Sequence, residues 1–289
     1  MDFIAAIFSQ VILFVPFALG VCISYNFLKA TDMTLDGSYV LGAGVFAKCI
    51  ILGIAPVLAF PIALLGGTSA GLLVGLIQRK GQIEPLLAGV LATFILMSVN
   101  LVLMGRPNIN LLGEHTLVSN AFAVSHFAGF ALVSLYVVAF CGICIAVLHS
   151  RLGVLLRALG DNPNLLQKIT SVEKYRLIGF AFTNTLAAAS GALTSQVIGF
   201  ADTGMGLGMT LTAIGAVILG QQLLKSLSKT YTFNISFELI ASLLGVIVYF
   251  TVMNGLLRMD IEPIYLKILM GLMLIVFIRA SGQVKRLTC

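Results

Sequence analysis

Apolar runs long enough to cross a membrane recur along this chain, at residues 3–27, 37–54, 56–78, 83–104, 124–149, 175–199, 205–224, 233–256 and 263–281. A helix rises ~1.5 Å per residue, so about 20 apolar residues cover the ~30 Å hydrocarbon core of a bilayer. No water is present there to satisfy backbone N–H and C=O groups, which leaves the α-helix as the element each run forms. Composition agrees, with 59% hydrophobic and 10% charged residues, where a soluble domain carries ~25% charged. The fold class expected is all-α: a polytopic transmembrane helical bundle of eight to nine spans, with residues 1–289 as a single transmembrane domain. An eight-helix count requires one short pair to be re-entrant. The first run begins Met-Asp-Phe, without a basic leader or a following small-residue cleavage site, and reads as a retained helix.

Charge orients the set. Residues 151–176, RLGVLLRALGDNPNLLQKITSVEKYR, form the longest polar, positively charged stretch, and the positive-inside rule puts such an island in the cytoplasm. Lys29, Arg79, Lys80, Arg151, Arg157, Lys168, Lys174, Arg176, Lys225, Lys229, Arg279, Lys285 and Arg286 then share that side, 13 of the 17 basic residues. The expected topology is nine crossings with the N-terminus outside and the C-terminus inside. The net charge of +6 has its origin in these juxtamembrane lysines and arginines. No basic patch is interleaved with aromatics, so nucleic acid is not an expected partner, whereas the lipid bilayer is.

Within the bundle the pair 37–54 and 56–78 looks broken, because Pro56 and Pro61 interrupt it and Lys48 sits inside it. Broken helices persist at membrane depth only where protein or a water-filled cavity covers the freed backbone, so this pair is expected to face a pathway. Glycine clusters such as Gly42-Ala43-Gly44 and Gly66-Gly67 let helices approach closely. Gly204 to Gly208 lacks the preceding strand and the Gly-Lys-Ser/Thr ending of a phosphate loop.

Catalytic and metal chemistry find no foothold. Cys141-Gly-Ile-Cys144 has metal-ligand spacing but lies in FCGICIAVL without a partner pair; Cys22 and Cys49 also fall in spans, and Cys289 ends the chain. His115, His126 and His149 are scattered. No enzyme activity, cofactor or metal is expected.

Polar residues inside the spans carry more information, since a charge at the bilayer centre costs roughly 2.5–3.5 kcal/mol and needs a partner or a cavity. Asp32, Thr34, Asp36, Gly37 and Ser38 are the densest group. Asp32 and Asp36 either cap the second helix, accepting its orphan N–H groups, or line a solute pathway. Thr183, Asn184 and Gln196 lie in one long apolar helix and either bridge helices or line the route; twelve residues apart, Asn184 and Gln196 fall on one broad face. An internal echo joins the regions. ATDMTLDGSYVLGAGV at 30–45 and FADTGMGLGMTLTAIGAV at 200–217 both set Asp, Thr and Gly before a Gly/Ala-rich helix, the first inside and the second outside, as in an inverted repeat.

Five blocks carry a resemblance to a known family: Thr31-Asp32-Met33-Thr34-Leu35-Asp36-Gly37-Ser38, Arg157-Ala158-Leu159-Gly160-Asp161-Asn162-Pro163, Arg176 to Asn184, Ser190-Gly191-Ala192-Leu193 and Gly199-Phe200-Ala201-Asp202. They resemble the permease subunits of ATP-binding-cassette importers. More narrowly, they are similar to the branched-chain amino acid and sugar permease superfamily, in the subgroup linked to binding proteins for tryptophan or other aromatic amino acids.

The resemblance implies a permease of the bacterial cytoplasmic (inner) membrane that moves a small solute inward. It would be driven by a separate ATPase, fed by an extracytoplasmic substrate-binding protein, and paired as a homodimer or with a related permease. It also implies that Leu159, Gly160, Asp161, Asn162 and Pro163 belong to a coupling helix that docks on the ATPase. Asp161 is expected to cap a short helix begun by Pro163. Lys168-Ile169-Thr170 stands where the family commonly has a glycine-bearing turn. The alternative drawn from the residues themselves is an ion-coupled secondary transporter, motivated by Asp32, Asp36 and Lys48.

Overall fold

The computed structural model describes residues 3–79, 83–168, 170–227 and 235–259, with Tyr265, Ile268, Gly271, Leu272, Ile275 and Arg279 beyond them. The expected span at 263–281 falls largely outside these residues, as do Lys80, Ile169, Lys229, Lys285, Arg286 and Cys289.

The chain is a helical bundle. Helix α1 (Phe3–Cys22) runs on into a π-helical turn, Ile23–Phe27, and then stops; α2 is Thr34–Ile51, α3 Pro56–Ile77 and α4 Pro85–Met104. After a three-residue strand, β1 (Asn108–Asn110), come the short α5 (Leu117–Val124), α6 (His126–His149), α7 (Arg151–Asp161), α8 (Pro163–Gln167) and the 27-residue α9 (Val172–Ile198). Strand β2 (Phe200–Asp202) pairs antiparallel with β1, Ile109 opposite Ala201, and α10 (Met209–Leu227) and α11 (Ile235–Arg258) follow. Among the described residues seven helices are long and apolar enough to cross a membrane: α1 with its π-turn, α2, α3, α4, α6, α9 and α11. Helix α10 fills the expected run at 205–224 but carries Thr210, Thr212, Gln221, Gln222 and Lys225, which lower its hydropathy.

Local chemistry accounts for the boundaries. Pro56 and Pro85 open α3 and α4 at the first turn, where the missing N–H has no helical partner to lose. Ser125, Ser150 and Ser171 each accept a backbone N–H at the start of α6, α7 and α9. Gly199 ends α9 in the left-handed conformation, φ 85°, that side-chain-bearing residues avoid. Contrary to the sequence expectation, the pair 37–54 and 56–78 is not broken within its spans. Pro56 begins a helix and Pro61 is carried inside a continuous α3, while the turn at Leu52–Ala55 joins two whole helices. The breaks lie instead at Leu28–Met33 and at Thr203–Gly208.

Helix α9 is the axis, packed on α1, α2 and α3. Between its Phe180 and Gln196 nearly every side chain is buried. By contrast α4 and α6 present Phe94, Val102, Leu135 and Val138 outward, the face a hydrocarbon solvent allows. The central contacts rest on small residues. A Cβ on Gly42 would lie 2.1 Å from the Ala188 carbonyl oxygen, and one on Gly67 would lie 2.4 Å from the Ala188 side chain, so α2 and α3 both meet α9 at that residue. Substituting Gly42→Leu should lower the thermal unfolding midpoint of the purified protein by the equivalent of about 1–3 kcal/mol of overpacking. Gly142→Ala, where a Cβ meets nothing within 4 Å, should leave it unchanged.

Candidate functional site

An interrupted helix inside an apolar bundle frees backbone groups that must find partners. At the first break they are met one by one. Ser24 Oγ donates to the Ala30 carbonyl at 2.7 Å, and Ala30 N–H donates to the Ser24 carbonyl at 3.0 Å. Thr93 Oγ1 on α4 reaches the Met33 carbonyl at 2.8 Å, and Asp32 Oδ1 accepts from Thr34 N–H at 2.9 Å. Asp32 thus takes the capping role at α2, as one of the two sequence readings had it.

The second carboxylate oxygen of Asp32 is held from α9. Asn184 Nδ2 donates to Asp32 Oδ2 at 2.8 Å, and Ser38 Oγ donates to Asn184 Oδ1 at 2.6 Å. Asp32, Thr34, Ser38 and Asn184 are all buried. Asn184 lies ~18 Å along α9 from its start, near the middle of the helix, so this closed polar network sits deep in the bundle. Thr183 is buried beside it and donates to the Phe180 carbonyl. Gln196 does not join them. It lies ~18 Å further on, its Nε2 donating to the Ala192 carbonyl and its Oε1 without a protein partner.

Asp36, one turn further along α2, does not cap its own helix. Its carboxylate accepts from Gly208 N–H at 3.0 Å, Thr210 N–H at 2.7 Å and Thr210 Oγ1 at 2.6 Å, so it caps α10. The first turns of α2 and α10 therefore converge, and the two stretches of the internal echo touch through this carboxylate. Their positive dipole ends face each other with one negative charge between. Asp36 and Gly37, together with Thr93, Asn100 and the loop Thr203–Leu207, line a cavity of about 90 Å³. Asn100, buried, donates to the Gly37 carbonyl at 3.1 Å and leaves its Oδ1 unpartnered. Thr93, Asn100 and Thr210 were not singled out from sequence. Each is a lone polar residue in an apolar run, and only the fold shows which face it occupies.

At the end of the bundle that holds Lys29, α7 buries Gly153, Leu156 and Leu159 and turns its charged residues outward. Gly160 lies against the Phe27 carbonyl, close enough that a Cβ would collide with it. Asp161 ends α7 and does not cap α8, contrary to expectation: its Oδ1 takes Lys29 Nζ at 2.6 Å, in an ion pair exposed at both ends. Asn162 precedes Pro163 instead, its carbonyl accepting from Leu166 N–H. A second buried polar cluster escaped the sequence reading. Glu238 Oε2 accepts from Gln221 Nε2 at 2.6 Å and Asn26 Nδ2 at 3.0 Å, tying α11, α10 and the π-turn. Lys48 lies in the last turn of α2 beside Gly105 and Arg106, at the opposite end of the bundle from Lys29.

Two of these bonds invite direct tests. Asn184→Leu strips a buried carboxylate and a hydroxyl of their partner and should cost about 1–3 kcal/mol, read as a lower midpoint in thermal unfolding. Asp36→Asn should cost a comparable amount, and it should raise hydrogen exchange at Gly208 and Thr210 before it does so elsewhere in α10.

The comparisons with known proteins run the length of the chain. Over residues 3–278 it matches the family described as branched-chain amino acid transport system, permease component. It is 40% identical over 287 residues to an uncharacterized protein, RP368, of Rickettsia prowazekii, covering 99% of each chain. It is 32% identical to a tyrosine transport system permease protein of Clostridioides difficile, covering 98% of this chain and 92% of that one. The ribose import permease protein RbsC of Haemophilus influenzae is 22% identical over 88% of this chain and 77% of its own. No solved structure matches. Seven long apolar helices and a family match over nearly every residue lead to one conclusion: this is a multi-pass membrane protein that belongs to the permease-component family of branched-chain amino acid transport systems.

Proposed function

We propose that the chain is the permease subunit of an ATP-binding-cassette importer in the bacterial cytoplasmic membrane, carrying an amino acid or similar small metabolite inward. A separate ATPase supplies the energy, an extracytoplasmic binding protein delivers the solute, and two permease chains, identical or related, enclose the route. Residues 1–289 act as one transmembrane domain. The observation that carries this reading is the 32% identity, over nearly the whole chain, to a permease named for tyrosine transport.

Two features of the chain support the division of labour. The pair α7 and α8 stands at the end of the bundle that holds Lys29 and Arg79, and residues Leu159 to Pro163 form the corner between the two helices. That corner is the docking element for the ATPase. The Lys29–Asp161 ion pair and the Gly160–Phe27 approach tie it to the first break, so a push on α7 is delivered to the N-terminal end of α2. The solute passes by the cavity at Asp36, Gly37 and Asn100, with Asp32, Thr34, Ser38 and Asn184 holding the helices that frame it. Gln196, at the far end of α9, lies nearer the entrance. The ion-coupled alternative loses its motive, because Asp32 and Asp36 are both occupied by donors from the protein and Lys48 lies at the far end of α2.

In proteoliposomes with the partner ATPase and loaded binding protein, Asp161→Arg should abolish stimulated ATP hydrolysis while leaving the folded protein intact. An exposed ion pair contributes only ~0–1 kcal/mol to stability. The swapped pair, Lys29→Glu with Asp161→Arg, should recover part of the stimulation. An Asp161→Arg variant stimulated like the parent would refute the assignment of this corner.

A further inference from the structure

Behind the α7–α8 corner lies a cavity of about 170 Å³, bounded by Lys29, Gln78, Leu159, Pro163, Arg176 and Phe180. Gln78, at the end of α3, is 1% exposed, and neither its Oε1 nor its Nε2 has a hydrogen-bond partner in the protein. A buried primary amide with both ends unmatched is a costly arrangement that a ligand or ordered water must relieve.

The charges around it are unbalanced. Lys29 is paired with Asp161, but Arg176 spends one N–H on the Gln78 carbonyl at 3.3 Å and keeps most of its donors. Arg79 is matched by Glu173. The cavity therefore carries one excess positive charge, an amide donor and an amide acceptor. Lys29 is also the only non-glycine residue, among those described, with a left-handed backbone, at φ 50°. Such strain persists where the surroundings hold a residue in place, and it concentrates at ligand clamps.

We infer that this cavity binds a small free amino acid from the cytoplasm. Its carboxylate meets Arg176 and the Gln78 Nε2 donor, and its ammonium group donates to Gln78 Oε1. A simple carboxylate satisfies the donor half and leaves Oε1 unmatched; an amine does the reverse. At about 170 Å³ the cavity has room for a molecule as small as alanine, whose methyl then meets Phe180 and Leu159. Leu159 and Pro163 are walls of the site and belong to the corner proposed to dock the ATPase. Occupancy by cytoplasmic amino acid therefore stiffens that corner and slows transport, a consequence that rests on the proposed function, whereas the binding itself does not.

The test is isothermal titration of the full-length permease, in phosphatidylcholine nanodiscs without other subunits, with L-alanine. Saturable binding to one site per chain is expected. Propionate and ethylamine should each bind at least tenfold more weakly. Gln78→Leu and Arg176→Gln should each weaken alanine binding at least tenfold. Gln78→Glu, which keeps the shape and loses the donor, serves as the second variant at that position if Gln78→Leu unfolds. No saturable binding at millimolar alanine, binding unchanged in these variants, or propionate bound as tightly as alanine would overturn the assignment. Failure here leaves ATPase coupling through Asp161 untouched, so the two readings fall separately.

Discussion

Much of this structure follows from the need to satisfy a break in a helix inside an apolar bundle. Between Phe27 and Thr34 the chain gives up its helical hydrogen bonds in a turn that buries Leu28, Ala30 and Asp32 and exposes Lys29. Ser24, Asp32 and Thr93 take up the freed groups, and Asn184 fixes the Asp32 carboxylate from the central helix. Because α9 also packs on α1 and α3, this one network sets where the first three helices stand relative to each other. The close approaches at Gly42 and Gly67 let α2 and α3 both reach Ala188.

Asp36 extends the same logic to the second half of the chain. Capping the N-terminus of α10 from α2 joins two breaks that are more than 170 residues apart, by three hydrogen bonds to one carboxylate. Charge-assisted bonds of this kind are strong when intact and are lost together if the helix ends separate. The cavity beside Asp36 is where parting would open space.

The fold class was legible because long apolar runs have one solution in a bilayer, and eight of the nine expected spans coincide with described helices to within a few residues. The location of the breaks was not. Pro56 and Pro61 read as interruptions, yet proline at a first turn starts a helix and proline within a membrane helix is tolerated when neighbours pack around it. Asp36 was recognisable as a cap, but a sequence cannot say that the helix it caps lies elsewhere in the chain. Asp161 was expected to cap α8 and instead pairs with Lys29, which is remote in sequence. Asn100 and Glu238 stayed hidden because isolated polar residues in apolar runs have no periodicity to betray them, and Gln78 because it reads as part of the polar turn Gln78-Arg79-Lys80.

In the proposed function this permease is worked by ATP through the α7–α8 corner and not by an ion gradient. Uptake of radiolabelled tyrosine tests it most directly, in proteoliposomes holding the permease, its ATPase and its binding protein, with ATP enclosed and the membrane made leaky to protons and sodium by ionophores. Uptake should require ATP and be indifferent to the ionophores, with other amino acids substituted for tyrosine if the binding protein prefers them. Uptake that persists without ATP and collapses with the ionophores would contradict it.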